Sequence, residues 1–202
     1  MPDPPTGDVP SEFLAKRVVG GDADALARLY ERIAPALFAW ARLRIRSSAR
    51  AIVDPEDVVQ DVWVQALRGF RATYDPERES FRAWLFGIAN HVLSDAFRRA
   101  KGRLGAGGPK ATARPMEEIP EEVTTMTRRI ARQEDLRRFI DQVRALPDED
   151  RMLVIYRGLE GLPHRAAAER LGITPAAARK RWERLREKLA ALAASASVLE
   201  VG

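Results

Sequence analysis

Apolar residues in this chain recur at intervals of three and four, and nowhere alternate with polar ones at the period of two that a half-buried strand requires. Leu26, Leu29, Tyr30, Ile33, Leu37, Trp40 and Ala41 make one such stripe, and Val58, Val59, Val62, Trp63, Ala66, Leu67 and Phe70 make a second. Phe81, Trp84, Leu85, Ile88, Ala89, Val92, Leu93 and Ala96 make a third. A chain patterned this way buries its apolar faces by packing helix on helix, so the expected fold class is all-α.

Punctuation between the stripes sets the expected organisation. Met1–Pro10 holds four prolines and little apolar surface, which predicts a disordered leader over 1–10. Gly20-Gly21-Asp22 separates two helices, with Asp22 or Asp24 as N-cap. Asp54-Pro55 opens another, and Ser80 caps a long helix after the turn-rich run Tyr74–Glu79. From Gly102 onward glycine and proline replace apolar periodicity, so 102–125 reads as a flexible linker between two small helical domains, 11–101 and 126–194. Helical spacing runs from about Thr127 to Leu146 and resumes after Pro147, and the last helix extends to about Ala194, leaving 195–202 as a tail.

With no cysteine and two histidines far apart in the chain, disulfide frameworks, thiol nucleophiles and thiolate zinc sites are excluded. No cofactor or metal signature and no catalytic constellation is present, so no enzymatic role is expected. No uncharged stretch approaches the ~20 residues of a membrane span, and the amino terminus lacks the basic and apolar regions of a signal peptide, which predicts a cytoplasmic protein. The net charge is +5 over 202 residues, and 29 of the 34 basic side chains are arginine. The arginine fork suits phosphate recognition.

Two segments concentrate that charge. Ala167–Pro175 has the helix-turn-helix pattern: small Ala168, then Gly172 where the turn needs a positive φ, then Thr174 and Pro175 to cap and open the second helix. In that helix Ala178, Trp182, Leu185, Leu189 and Leu192 share one face, while Arg179, Lys180, Arg181, Arg184 and Arg186 fill the rest. The second segment, 67–103, combines basic residues with Phe81, Arg82, Trp84 and Phe86, a mixture that single-strand binders use to stack bases beside a charged groove. Phe81 and Trp84 are expected in the core and Phe86, off the main stripe, at the surface. Asp54, Glu56, Asp57 and Asp61 place carboxylates on the outer side of one helix, where Gln60 and a semi-exposed Val64 complete a docking face for a basic partner. His91 is expected at a polar helix edge, and His164 either contacts a phosphate or fills space.

The run Asp54-Pro-Glu-Asp-Val-Val-Gln-Asp-Val-Trp, followed by Phe70, Tyr74-Asp75-Pro76 and Phe81-Arg-Ala-Trp-Leu-Phe-Gly-Ile-Ala, resembles region 2 of the extracytoplasmic-function sigma factors of bacterial RNA polymerase. Leu146-Pro-Asp-Glu-Asp-Arg, Gly161-Leu162 and Gly172-Ile173-Thr174 resemble region 4 of the same family. The resemblance implies a promoter-specificity subunit whose partners are core RNA polymerase, promoter DNA and a regulator such as an anti-sigma factor. Carried over residue by residue, it implies docking on core polymerase by Asp57, Gln60, Asp61 and Val64. It implies minus 10 contacts from Tyr74, Asp75, Arg78, Ser80, Arg82, Trp84, Asn90, Arg98 and Arg99. It implies minus 35 contacts from Thr174, Ala176, Ala177, Arg179, Lys180 and Arg184. Asn90, His91 and Ala178 depart from the family's usual residues.

Two rivals stand beside this reading. A free-standing helix-turn-helix regulator would bind duplex DNA without polymerase. An enzyme using the acidic helix would show metal-dependent turnover that Asp57→Ala and Asp61→Ala abolish. A mobile linker would also let the two domains pack together until polymerase parts them, with Glu117, Glu118, Glu121 and Glu122 shielding a basic face.

Overall fold

The computed structural model describes residues 11–106 and 121–199. Helices α1 (Ser11–Val19), α2 (Ala23–Arg44), α3 (Pro55–Thr73) and α4 (Phe81–Ala106) form the first half. The second half comprises α5 (Glu121–Ala131), α6 (Glu134–Arg144), α7 (Asp148–Leu153), a π-helical turn over Val154–Leu159, α8 (His164–Leu171), α9 (Pro175–Ala190) and α10 (Ser195–Val198). No strand occurs among the described residues, as the spacing predicts.

Local chemistry sets most of the helix starts. The Asp22 carboxylate accepts from the Ala25 amide at 2.9 Å, Asp54 from Glu56 at 2.8 Å, Ser80 Oγ from Ala83 at 3.2 Å and Thr174 Oγ1 from Ala177 at 3.2 Å. Each cap satisfies an amide that the first turn leaves without a helical acceptor.

The core is organised around α2. Residues 33–41 of that helix are buried on every side, and its alanines, Ala34, Ala36, Ala39 and Ala41, allow close approach from several directions. It packs against α1, α3 and α4 of the first half and against α5, α6, the π-turn and α10 of the second. Both halves therefore share one continuous apolar core. Polar locks cross the seam. Tyr30 Oη and Thr127 Oγ1 lie 2.6 Å apart in the interior, and burial pushes the Tyr30 phenol up to about 12. Trp40 Nε1 donates to buried Glu160 at 2.8 Å, whose other oxygen accepts from Arg170 at 3.1 Å. Arg144 donates to the Arg42 carbonyl near the end of α2 at 2.9 Å.

Several expectations are corrected here. Helix α4 runs on to Ala106 and α5 begins at Glu121, so helix occupies both ends of the expected linker 102–125. The rest of that linker, with Glu117 and Glu118, and the leader 1–10 lie outside the described residues. One helix from Thr127 to Leu146 is in fact two, because the chain breaks at Arg132-Gln133 to turn α6 onto α2. The last long helix stops at Ala190, and the expected tail folds back as α10, with Val198 and Leu199 buried. Phe86 is buried because Trp40 meets its ring edge-on at 5.9 Å. Val64, expected semi-exposed, is buried, although it lies on the side of α3 that carries Gln60 and Asp61 and outside the main apolar cluster.

Candidate nucleic-acid interface

The helix-turn-helix is formed by α8 and α9. Gly172 adopts φ 66°, and the following Ile173 amide donates to the Ala168 carbonyl at 3.0 Å, which closes α8 as a left-handed C-cap. Buried Ala167 and Ala168 let α9 pass close by, and Ala178, Trp182, Leu185 and Leu189 seat it in the core. The opposite face of α9 presents Thr174, Ala176, Arg179, Lys180, Arg184 and Arg186 to solvent, with Ala177 half-buried. Arg181 is turned away by Glu149, which it meets at 2.5 Å. His164 sits beside this face. Desolvation, then the charges of Arg157 and Arg179, hold its imidazole below the ordinary histidine range, and its Nδ1 is buried without a hydrogen-bond partner. That environment disfavours the charged imidazolium.

The α3–α4 region is arranged differently. Tyr74, Phe70, Phe81 and Trp84 form one aromatic cluster with centroids 5.2 to 5.8 Å apart, and the Trp84 indole donates to Thr73 Oγ1 at 3.3 Å. Trp84 and Tyr74 are thus core residues in this state. The connecting loop is ordered by Asp75, whose carboxylate accepts from Glu77 at 3.0 Å and whose carbonyl accepts from Arg78 at 3.1 Å. Arg78 points to solvent and Ser80 is engaged as the α4 cap. Asn90 donates to the Phe86 carbonyl at 2.8 Å and accepts from Arg44 at 3.3 Å. Arg98 pairs with Asp95, and exposed His91 lies 3.5 Å from the same carboxylate. Arg99 reaches Asp61 at 3.6 Å, so one expected minus 10 residue and one expected polymerase-docking residue are partners.

Along the acidic row Asp57 is exposed, while Gln60 and Asp61 are half-buried. Desolvation, then the charges of Asp54, Asp61 and Glu56, raise the Asp57 carboxyl above the ordinary carboxylate range. Among the described residues no three acidic or histidine side chains converge as a metal-binding group. No described helix is long and apolar enough to cross a membrane.

Arg82 occupies a position that periodicity does not reveal. Its Nε donates to the Leu159 carbonyl at 2.7 Å, and its Nη2 donates to Val198 at 2.7 Å and to Gly158 at 3.4 Å. Its guanidinium also lies 5.7 Å from the Phe86 ring centre. Glu160 and Gly158 are the residues that sequence reasoning missed. The only trace of them in the sequence is the lapse of apolar spacing between Arg157 and Gly161.

A profile of the family Sigma-70 region 2 matches residues 29–103, and one of Sigma-70 region 4 matches residues 136–189. The ECF RNA polymerase sigma factor ShbA of Streptomyces griseus is 31% identical over 186 residues, covering 89% of this chain and 93% of that protein. SigD of Mycobacterium tuberculosis is 29% identical, covering 88% and 81%. BldN of Streptomyces coelicolor is 28% identical over 79% of this chain, which spans 56% of BldN. The solved structure of CnrH in complex with the cytosolic domain of CnrY covers 90% of this chain at 24% identity with a TM-score of 0.43. With both sigma-70 regions in order on a single polypeptide, the chain belongs to the ECF RNA polymerase sigma factors.

Proposed function

We propose that this sigma factor, which directs RNA polymerase to promoters, divides the task between its halves. The first, residues 11–101, docks on core polymerase through the α3 surface of Asp57, Gln60 and Asp61, and takes up the melted minus 10 strand along the loop and α4. Arg78, Arg82, Asn90, Arg98 and Arg99 supply the polar contacts there. The second, residues 126–194, enters the major groove of the minus 35 element with the amino end of α9, where Thr174, Ala176, Ala177, Arg179, Lys180 and Arg184 meet bases and phosphates. Buried Val64 supports the docking face from beneath, and Tyr74 and Trp84 shape the capture loop from the core. The chain works in the cytoplasm, carries no catalytic step of its own, and is held in check by a protein regulator of the anti-sigma class.

The observation that carries this reading is the union on one chain of region 2 and region 4 matches with a capped, solvent-facing basic helix at the second position of a helix-turn-helix. Run-off transcription with purified core RNA polymerase on a library of promoter fragments tests it. The expected result is initiation at a defined subset of fragments that requires both proteins. Tight, specific duplex binding by the free chain without core-dependent transcripts overturns it in favour of a free-standing regulator.

A further inference from the structure

The carboxy-terminal segment makes contacts out of proportion to its length. Ala194, Ser195, Val198 and Leu199 are all buried, and the Ser195 hydroxyl donates to the Leu189 carbonyl at 2.5 Å to turn the chain back after α9. The short helix α10 then lies against both α9 and α2, bridging the two halves. A seat is reserved for it in the π-turn, where a methyl at Gly158 would come within 2.7 Å of Leu199 Cδ2 and of the Trp182 ring. The Val198 carbonyl, beside those of Gly158 and Leu159, is an acceptor for Arg82. All three carbonyls lie at or near helix ends, where acceptors lack intrahelical donors and a cation is favoured.

We infer that Ala194–Leu199 is an intramolecular latch that holds the two halves closed over Arg82 and must release before α4 can take up promoter DNA. This rests on the proposed role of Arg82 at the minus 10 strand. In the closed state Arg82 is taken up by three backbone carbonyls, whereas a DNA phosphate would offer the same fork a full opposite charge and two oxygens to grip. The latch is also built to come away alone: one turn of helix has no stability of its own once its apolar side chains leave their seat, so the segment opens without unfolding either half.

The absence of cysteine in the chain gives a clean test. Thr127 is buried at the seam against Tyr30, so the thiol of a full-length Thr127→Cys protein reacts with a thiol reagent only when the halves part. Adding Val198→Asp should raise that reaction rate about tenfold, the order expected from removing a buried aliphatic side chain from the closed state. Apparent affinity of the otherwise native Val198→Asp chain for a single-stranded minus 10 oligonucleotide should rise by a similar factor, because affinity scales with the population of the competent form. An unchanged thiol rate, or a faster rate with unchanged or weaker oligonucleotide affinity, overturns the latch. If Val198→Asp loses helicity by circular dichroism, Val198→Ala/Leu199→Ala replaces it, with a several-fold increase expected in both readouts and the same outcomes overturning the inference. A wild-type chain that supports no core-dependent transcription refutes the promoter reading instead, while the thiol rates still decide whether the tail holds the halves together.

Discussion

The two segments proposed to touch DNA carry the same net charge, +4 over 67–103 and +4 over 174–188, yet they differ in how much of that charge is available. On α9 the long cations Arg179, Lys180, Arg184 and Arg186 stand in solvent, positioned by a cap, a first-turn proline and a buried apolar face. Around α4 three of the cations are engaged: Arg82 with three carbonyls of the second half, Arg98 with Asp95, Arg99 with Asp61. The aromatic residues there are engaged too, with Tyr74 and Trp84 folded into a cluster. Composition reports charge, whereas packing decides whether that charge is presented or withheld. A preformed surface suits duplex DNA, which arrives with its shape complete. In the proposed function, a strand that must first be melted meets a surface that must itself rearrange.

The largest expected effect tests the aromatic side of this contrast. Trp84→Ala removes an indole that touches Phe70, Tyr74 and Phe81 and should lower stability by about 3 to 5 kcal/mol in urea unfolding. Arg184→Ala, on the exposed face of α9, should change stability by no more than about 0.5 kcal/mol. Equal stabilities for the two variants would mean that Trp84 is not a core residue and that the two regions do not differ as described.

A second prediction concerns the kinds of contact within α9. Arg179 lies near the amino end, where a helix enters the groove, and an arginine holding a guanine through two acceptors gives about 1 to 3 kcal/mol of base discrimination. Arg179→Ala should therefore relax the minus 35 preference at one or two positions. Arg186→Ala should weaken binding to all promoters alike and reduce the salt slope by about one. Holoenzyme binding across single-base promoter variants at several salt concentrations measures both. Identical sequence profiles for wild type and Arg179→Ala would pass the base-reading role to Lys180 or to DNA shape.

The turn that aims α9 gives a smaller effect of purely local origin. Nothing lies within 4 Å of a methyl built at Gly172, so Gly172→Ala meets no steric obstacle, only the left-handed backbone at φ 66°. A destabilisation of about 1 to 2 kcal/mol is expected, with Gly172→Asn milder because asparagine tolerates this region. Comparison of thermal unfolding for the three proteins checks it, and equal melting for Ala and Gly would remove the left-handed requirement.

What was legible in the sequence follows the same division. Caps at Asp22, Asp54, Ser80 and Thr174, the turn at Gly172 and the apolar stripes of α2, α3 and α9 depend on residues a few positions apart, so the chain announces them directly. The seam depends on residues far apart. Phe86 falls off the stripe of its own helix but meets Trp40 of α2, and Val64 is buried although it too lies off its helix's stripe. Residues 195–199 lack a periodic pattern long enough to read, yet find a seat beside Gly158. The π-turn compounds this, since a widened helix shifts the register on which any helical stripe is read, and Glu160 and two of the carbonyls that hold Arg82 follow from that shift.

The smallest effect, at Asp57, separates a surface kept for a partner from one kept for the fold. Its carboxyl is raised above the ordinary range by desolvation and by Asp54, Asp61 and Glu56, so the folded chain binds that proton more tightly than the unfolded one. The associated stability is fully present below the unfolded value near 3.8 and is lost as pH rises through the raised folded value. The dipole at the start of α3 favours the charge, while desolvation and the neighbouring carboxylates oppose it. Asp57→Asn removes the charge at nearly constant shape and should stabilise the fold at pH 7 by a few tenths of a kcal/mol, the scale of a like-charge pair four residues apart. It should also remove the loss of stability that accompanies ionisation above pH 3.8, as urea titrations upward from that pH would record. Asp61→Asn should go the other way by a similarly small amount, because it removes the carboxylate charge that Arg99 meets. If α3 is the polymerase-docking face, both substitutions weaken core binding although they move stability in opposite directions. Core affinities that simply follow the two stabilities would instead make the acidic row a structural feature of α3.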